Sequence, residues 1–354
     1  MESQEKRNAG KGKTAPDLIE PPIRLPDIQR GVWCPLPAVD PLTTYVTKNL
    51  WGQPGQPVSW EVARLSGAVY LYRETATRWA LVAKFYSEKT GVDSAERHAQ
   101  REFENTLQAG QCGLSADNMC ALKPLGLWRG VLLLEYIDGL TLEDVIAVRR
   151  SRPGTLLPGL ALAAELLATL HVHGVQRGAQ PDFDAPVSKA HKVVDTLVKH
   201  GVLADEPVTA SGLRRQLDRW AAKPAMRAFT PTLNHGDATT ANFVFPWGGG
   251  VVGIDWERFK IADPAADLGR LMAEVAHSIK QHGGSVSEAV PDVQHAVDSY
   301  RRLLPRGWDA DALVERARFY RAASTLRIAR NGWVSRLDRT ALVAQALALL
   351  SDDR

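Results

Sequence analysis

The sequence predicts an α+β fold in two lobes: a small antiparallel β lobe followed by a larger, mainly helical one. Three observations predict it. Between Val58 and Tyr86 lie three short runs that alternate apolar with polar residues, VSWEVARL, AVYLYRE and WALVAKFY. From Thr141 onward, helical spacing with capping signals covers most of the chain. Within that helical half, the stretch LNHGDATTANFVFPWGGGVVGIDWE, Leu233–Glu257, carries a lone hairpin signal framed by polar groups.

Composition narrows the classes. The chain has 354 residues, 45% hydrophobic and 23% charged, which is ordinary for a globular protein with ample core. A formal net charge of +3, with no basic run interleaved with aromatics, gives no footprint for nucleic acid. Cys34, Cys112 and Cys120 form no CxxC spacing, so neither a disulfide framework nor a zinc site is expected. There is no long uncharged apolar run of membrane-spanning length, and MESQEKRNAGKGK lacks the apolar core of a signal peptide. A reducing, cytoplasmic setting fits these features.

Residues 1–25 are polar and read as a disordered tail, its basic cluster Lys6, Arg7, Lys11 and Lys13 solvated. Asp40 as cap and Pro41 at the first position start a short helix over 40–50. The three strands follow, their turns at Ser66-Gly67 and Thr75-Ala-Thr77. Ser94–Gln108 is a helix with Ala95, Ala99, Phe103 and Leu107 as its apolar stripe. Gly130–Gly139 holds an apolar strand ending in a polar turn, and Thr141 to Asp144 is a capping box. Helices are expected at Pro158–His173, Val187–Val202 and Ser211–Ala222. After the hairpin come a helix from Pro264 past Ala276, then Pro291–Leu304, Asp309–Arg330 and Arg336–Leu350. The lobes are expected at 26–134 and 135–354, with the helices of 174–230 shaping a substrate site.

The hairpin places chemistry. Asn242–Phe245 and Val251–Ile254 are short β-rich runs joined by Pro246-Trp-Gly-Gly-Gly250. Folding back, they bring Asp255 near Asn242, with Asp237 in the preceding loop. A loop carboxylate that accepts a hydroxyl proton, beside an amide oxygen and a second carboxylate that hold Mg²⁺, suits phosphoryl transfer. The bland alternative is a turn-rich hairpin with surface acids, and the spaced set argues against it. His171 and His173 are read as structural, since residues two apart on a helix do not share a face.

His235-Gly-Asp237, Asn242 and Asp255-Trp-Glu257, with HGDATTAN in the pattern HGDxxxxN, resemble the motifs of the aminoglycoside phosphotransferase and choline kinase family, small-molecule relatives of protein kinases. The resemblance covers roughly residues 60–340 and implies a two-lobed protein-kinase-like fold. It implies Asp237 as catalytic base and Asn242 and Asp255 as Mg²⁺ ligands. Upstream it implies that Lys84, in LVAKFY, grips the ATP phosphates under the turn at Gly67; the bland reading of Lys84 is an edge-strand charge. The turn has one glycine rather than a GxGxxG loop, a departure from the protein-kinase pattern. Glu102 or Glu104 pairs with the lysine, and Glu102 lies nearer the apolar stripe. The backbone of Glu135 and Ile137 contacts adenine, and Asp267 buttresses the catalytic loop; Asp263 reads as a helix cap.

ATP and Mg²⁺ are thus the implied cofactors, and a small-molecule hydroxyl is the implied acceptor: an aminoglycoside, a sugar, choline or another metabolite. A protein acceptor, and a nucleotide-binding pseudokinase acting as an interaction module, remain as alternatives. On the last long helix Arg316, Arg318, Arg321, Arg327 and Arg330 outnumber Asp311 and Glu315. Arg318, Arg321 and Arg327 read first as a solvated helix face; the alternative, one flank of the acceptor site, favours a neutral or anionic acceptor over a polyamine.

Overall fold

The computed structural model describes residues 28–51 and 58–351. The tail expected at 1–25 lies outside the described residues. The chain divides into two compact units: its first part up to Gln100 together with Leu125–Tyr136, and Arg101–Pro124 together with Ile137 onward.

The first unit begins with β1 (Trp33–Pro35) and α1 (Pro41–Val46). The Asp40 carboxylate accepts from the Thr43 amide at 2.7 Å and Pro41 opens the helix, the start the sequence specified. A π-helical turn, Thr47–Trp51, extends it. Then come β2 (Trp60–Ser66), β3 (Val69–Glu74) and β4 (Ala80–Phe85), antiparallel and in sequence. The short α2 (Tyr86–Thr90) leads into α3 (Val92–Gln111), where the chain passes between units. The buried face of α3 carries Ala95, Ala99, Glu102, Thr106 and Ala109. Leu107, expected in the stripe, is 45% exposed, so the buried face turns about Glu102 rather than Leu107. After the hairpin β5 (Ser115–Ala116) and β6 (Met119–Ala121) of the second unit, β7 (Pro124–Trp128) and β8 (Val131–Glu135) complete a six-stranded sheet in the order β1-β2-β3-β4-β8-β7. Its core joins Leu42, Val62, Tyr70, Leu81, Phe85 and Leu133, with Trp60 edge-on between Trp51 and Trp79.

The second unit opens with β9 (Gly139–Thr141) and α4 (Leu142–Val148), whose capping box between Thr141 and Asp144 is formed in both directions. Next come α5 (Leu156–His173), α6 (Asp184–Lys199) and α7 (Pro207–Ala222). β10 (Thr232–Asn234) leads into the hairpin the sequence predicts, β11 (Phe243–Pro246) and β12 (Val251–Gly253), in which Phe243 pairs with Gly253. β13 (Lys260–Ala262) returns antiparallel to β10. The rest is α8 (Ala265–Gln281), α9 (Ala289–Arg302), α10 (Ala310–Ala329) and α11 (Arg336–Ser351).

α8 packs on α10, and Gly269 lets them approach: a Cβ there would stand 2.4 Å from the Ala317 carbonyl. α5 is long and apolar enough by composition to cross a membrane, yet Leu160, Ala164, Leu167 and Leu170 are fully buried in this core. A five-stranded sheet, β5-β6-β12-β11-β9, and the β10-β13 pair carry the loops that matter.

Candidate active site

The chain between β10 and β11, HGDATTAN, is held by the buried carboxylate of Asp267, from the first turn of α8. Its Oδ2 accepts from the His235 amide at 2.6 Å and its Oδ1 from the Gly236 amide at 2.9 Å. His171 of α5 meets the same Oδ2 at 3.2 Å and the Tyr300 hydroxyl at 2.6 Å. Burial alone would raise the Asp267 pKa; the His171 hydrogen bond and charge, His235 and the Gly236 amide together hold it below its ordinary value. The buttress expected of Asp267 is in place, and the structural histidine His171 braces it.

Gly236 is required where it stands. Its φ is +76°, and a Cβ would lie 2.1 Å from the Arg258 carbonyl. His235 is fully buried, its Nε2 facing the Ile254 carbonyl at 3.0 Å while the Asp237 amide donates toward Nδ1 at 3.3 Å. Burial holds its pKa below the usual imidazole range, against the pull of Asp267, Asp237 and Asp255. A neutral ring with the proton on Nε2 satisfies both contacts.

The Asp237 carbonyl accepts from the Thr239 amide at 2.7 Å and from Asn242 Nδ2 at 2.8 Å. The Ile254 amide donates to the Asn242 carbonyl at 3.0 Å, so the hairpin ties Asn242 to the strand that delivers Asp255. Thr240 donates to Glu143 of α4, a second clamp on the loop. Asp255 itself adopts a left-handed conformation, φ +65° and ψ +61°, unusual for a residue with a side chain. That turn aims its carboxylate into a cluster. Ligand oxygens of Glu102, Asp255 and Glu257 all lie within 4.8 Å of one another. Such hard oxygen donors fit a divalent cation, and Asn242, whose Nδ2 is already committed, has its amide oxygen to add.

Asp237 stands among arginines. Arg270 of α8 comes within 2.5 Å of Oδ1, Arg327 of α10 within 3.7 Å of the same atom, and Arg258 within 3.7 Å of Oδ2. Arg270 and Arg327 also approach Glu274, at 3.5 and 3.6 Å. Beside this network a cavity of about 380 Å³ is lined by Asn234, Gly236, Lys260, Arg270, Tyr320 and Arg327, among others. Another cavity of about 400 Å³ lies around Phe229, Pro264 and Trp308, away from Asp237, and its Arg316 is already paired with Asp263 at 2.8 Å.

The second unit therefore brings together Asp237, Asn242, Asp255, Glu102 and Asp267. Glu102 is buried and Glu104 exposed. Ile137 is the first residue of that unit's second segment. In the first unit, Lys84 lies on β4 opposite Val69 and Leu132, Gly67 makes the β2–β3 turn with φ +39°, and Glu135 ends β8 opposite Leu81. The arginine flank forms only in part. Arg327 lines the cavity, but Arg318 donates to the Leu349 carbonyl at 3.1 Å and Arg321 is folded into the packing, since helix rotation turns them toward α11 and the core. Arg270 and Glu274 escaped the sequence reading, which named Glu257 only as the end of the Asp255-Trp-Glu257 motif, with no role of its own. One signal was available: Asp267, Arg270 and Glu274 recur at three and four residues on one helix face.

Residues 63–293 match the model of the phosphotransferase enzyme family. A search of curated proteins finds no match. Among solved structures the chain is similar to choline kinase LicA from Streptococcus pneumoniae, at 16% identity and TM-score 0.54 over 87% of this chain and 97% of that one. It is similar to APH(2")-IIa in its ternary complex with streptomycin and ATP, at 14% identity and TM-score 0.53 over 87% and 94%. A Plasmodium vivax ethanolamine kinase matches at 14% identity and TM-score 0.52 over 82% and 81%. At these identities the likeness is one of fold.

Proposed function

The chain belongs to the phosphotransferase enzyme family and has a kinase-like fold, and from that premise we propose that it is a small-molecule kinase that transfers the γ-phosphoryl group of ATP, with Mg²⁺, to a hydroxyl of its acceptor, with Asp237 receiving the hydroxyl proton. The observation that carries the reading is the pinned loop. Asp267 fixes two consecutive amides before Asp237, and Asn242 fixes the carbonyl of Asp237 itself. A base so held can orient an acceptor oxygen without reorganising when it reacts.

Asp237 is paired with Arg270, an arrangement this reaction tolerates. Phosphoryl transfer passes through a loose transition state in which positioning and neutralised charge count for more than early proton removal. Asp255, Glu102, Glu257 and Asn242 are the groups that would hold Mg²⁺, which supplies charge neutralisation on the phosphates. Lys84, Gly67 and the backbone of Glu135 and Ile137 are assigned to the nucleotide.

The test is ADP release by the purified full chain with ATP and Mg²⁺ across a panel of hydroxyl compounds, run beside Asp237→Ala. Acceptor-dependent ADP that the variant loses is the expected result. Nucleotide binding with no turnover on any acceptor would favour an interaction module instead.

A further inference from the structure

The cavity beside Asp237 is unevenly charged. Four cations face it: Lys189 from α6, Lys260 from β13, Arg270 from α8 and Arg327 from α10. Its acids are Asp182, Asp263 and Asp267, and each is already committed. Asp263 is paired with buried Arg316 at 2.8 Å. Asp267 holds the His235 and Gly236 amides and His171. Asp182, exposed at the edge, accepts from the Ala185 amide at 3.0 Å.

Arg270 and Arg327 share Asp237 and Glu274, and Arg258 also approaches Asp237. The lysines are the surplus. Among the described residues neither ammonium stands in an ion pair, and Lys260 feels the charge of Lys189 and, in the opposite sense, of Asp267. The Lys260 pKa is held below its ordinary value, by burial first and then by the charge of Lys189. Both lysines are exposed and solvated, and an anion entering the cavity would meet their two ammoniums beside two arginines.

Resting on the phosphotransferase reading, we propose that the acceptor is a hydroxyl compound carrying an anionic group, a phosphate or a carboxylate, which Lys189 and Lys260 bind with help from Arg327 and Arg270 while its hydroxyl faces Asp237. The volume of about 380 Å³ suits a metabolite rather than a macromolecule. Guanidinium forks match the planar edges of carboxylate and phosphate, and a polycation would meet four like charges here. Arg270 gains a second role: an anion that competes for it loosens its hold on Asp237 as the acceptor arrives.

Binding and turnover test this separately. Calorimetric titration of glucose 6-phosphate, gluconate, glucose and kanamycin into the full chain with saturating MgADP reads acceptor affinity. The anionic compounds should bind and the other two should not, at least about tenfold apart, which is about 1.4 kcal/mol. Lys189→Ala with Lys260→Ala should remove that preference while ADP affinity and melting temperature stay put, since both ammoniums lack protein partners. A preference for kanamycin or glucose, or anion binding untouched by the double variant, overturns the proposal. ADP release with a neutral or cationic acceptor but with neither anion also overturns it, yet leaves the phosphotransferase reading standing. Anion binding through the lysines without any turnover that depends on Asp237 would sink that reading instead.

Discussion

On one side of the HGDATTAN loop, oxygens of Glu102, Asp255 and Glu257 crowd within 4.8 Å; on the other, Arg258, Arg270 and Arg327 surround Asp237. Both regions use charge, with opposite sign and different architecture. The carboxylate cluster comes from a helix face and one turn. Like charges that close repel, and Arg258, 3.7 Å from Glu257, is one of the groups that offset it. The arginine side draws its groups from α8, α10 and the turn after β12, and adds lysines from α6 and β13. On the proposed reading, one region takes a positive ion and the other a negative ligand. Asp237, between them, belongs to the second by contact and to the first by backbone.

That contrast breaks first at Asp237. Asp237→Ala should lower turnover by about 10²–10⁴, the range of a positioned acid–base group, with MgATP affinity kept. Steady-state kinetics on the true acceptor checks it, and near-full activity would remove Asp237 from the chemistry.

Next comes the support under both regions. Asp267→Ala leaves two buried amides and His171 without their acceptor, and a loss of about 3–5 kcal/mol is expected. Urea unfolding measures it. A change under 1 kcal/mol would mean that the loop holds its shape without this carboxylate.

The metal side is then separable from the base. Asp255→Ala should weaken Mg²⁺-dependent ATP binding by about tenfold or more, or 1.4 kcal/mol, while Asp237→Ala should not. Equal affinities in the two variants, by titration calorimetry, would erase the division of labour.

The smallest effect probes the arginine side through pH. The Glu274 carboxyl is pushed up to about 7, by burial first, with Asp237 and Glu143 adding and Arg270 opposing. An acid whose folded pKa is raised binds its proton better when folded, so its ionisation costs stability. The cost is absent below its unfolded value of 4.5, grows as pH rises and is complete above about 7. It is on the order of 1–3 kcal/mol. Glu274→Gln should therefore melt higher than the parent at pH 8, with the gap closing by pH 5. Parallel melting curves would show Glu274 ionised throughout beside Arg270 and Arg327.

Much of this was written locally. The hairpin was legible because Asn242–Phe245 and Val251–Ile254 are β-rich runs bracketing a glycine-rich turn. Helix starts at Pro41 and Leu142 were legible because Asp40 and Thr141 cap within three residues of themselves. HGDATTAN was legible because loop geometry fixes residues a few positions apart. Asp267 was legible only through the family resemblance, and its bonds to the His235 and Gly236 amides show what it does there.

What only the tertiary structure decided is which helix face looks at Asp237. An error of one residue in helix phase moves a side chain by about 100°, so Arg318, Arg321 and Arg327 were alike on paper. Packing of α10 against α8 and α11 turned Arg327 to the cavity and gave Arg318 the Leu349 carbonyl. Lys189 and Lys260 lie far apart in sequence, and no local rule pairs them. The HGDATTAN motif is a short-range object, set by backbone turns and caps within one segment. The charge of the cavity lined by Arg270 and Arg327 is a long-range one, set by which side chains four separate elements bring together.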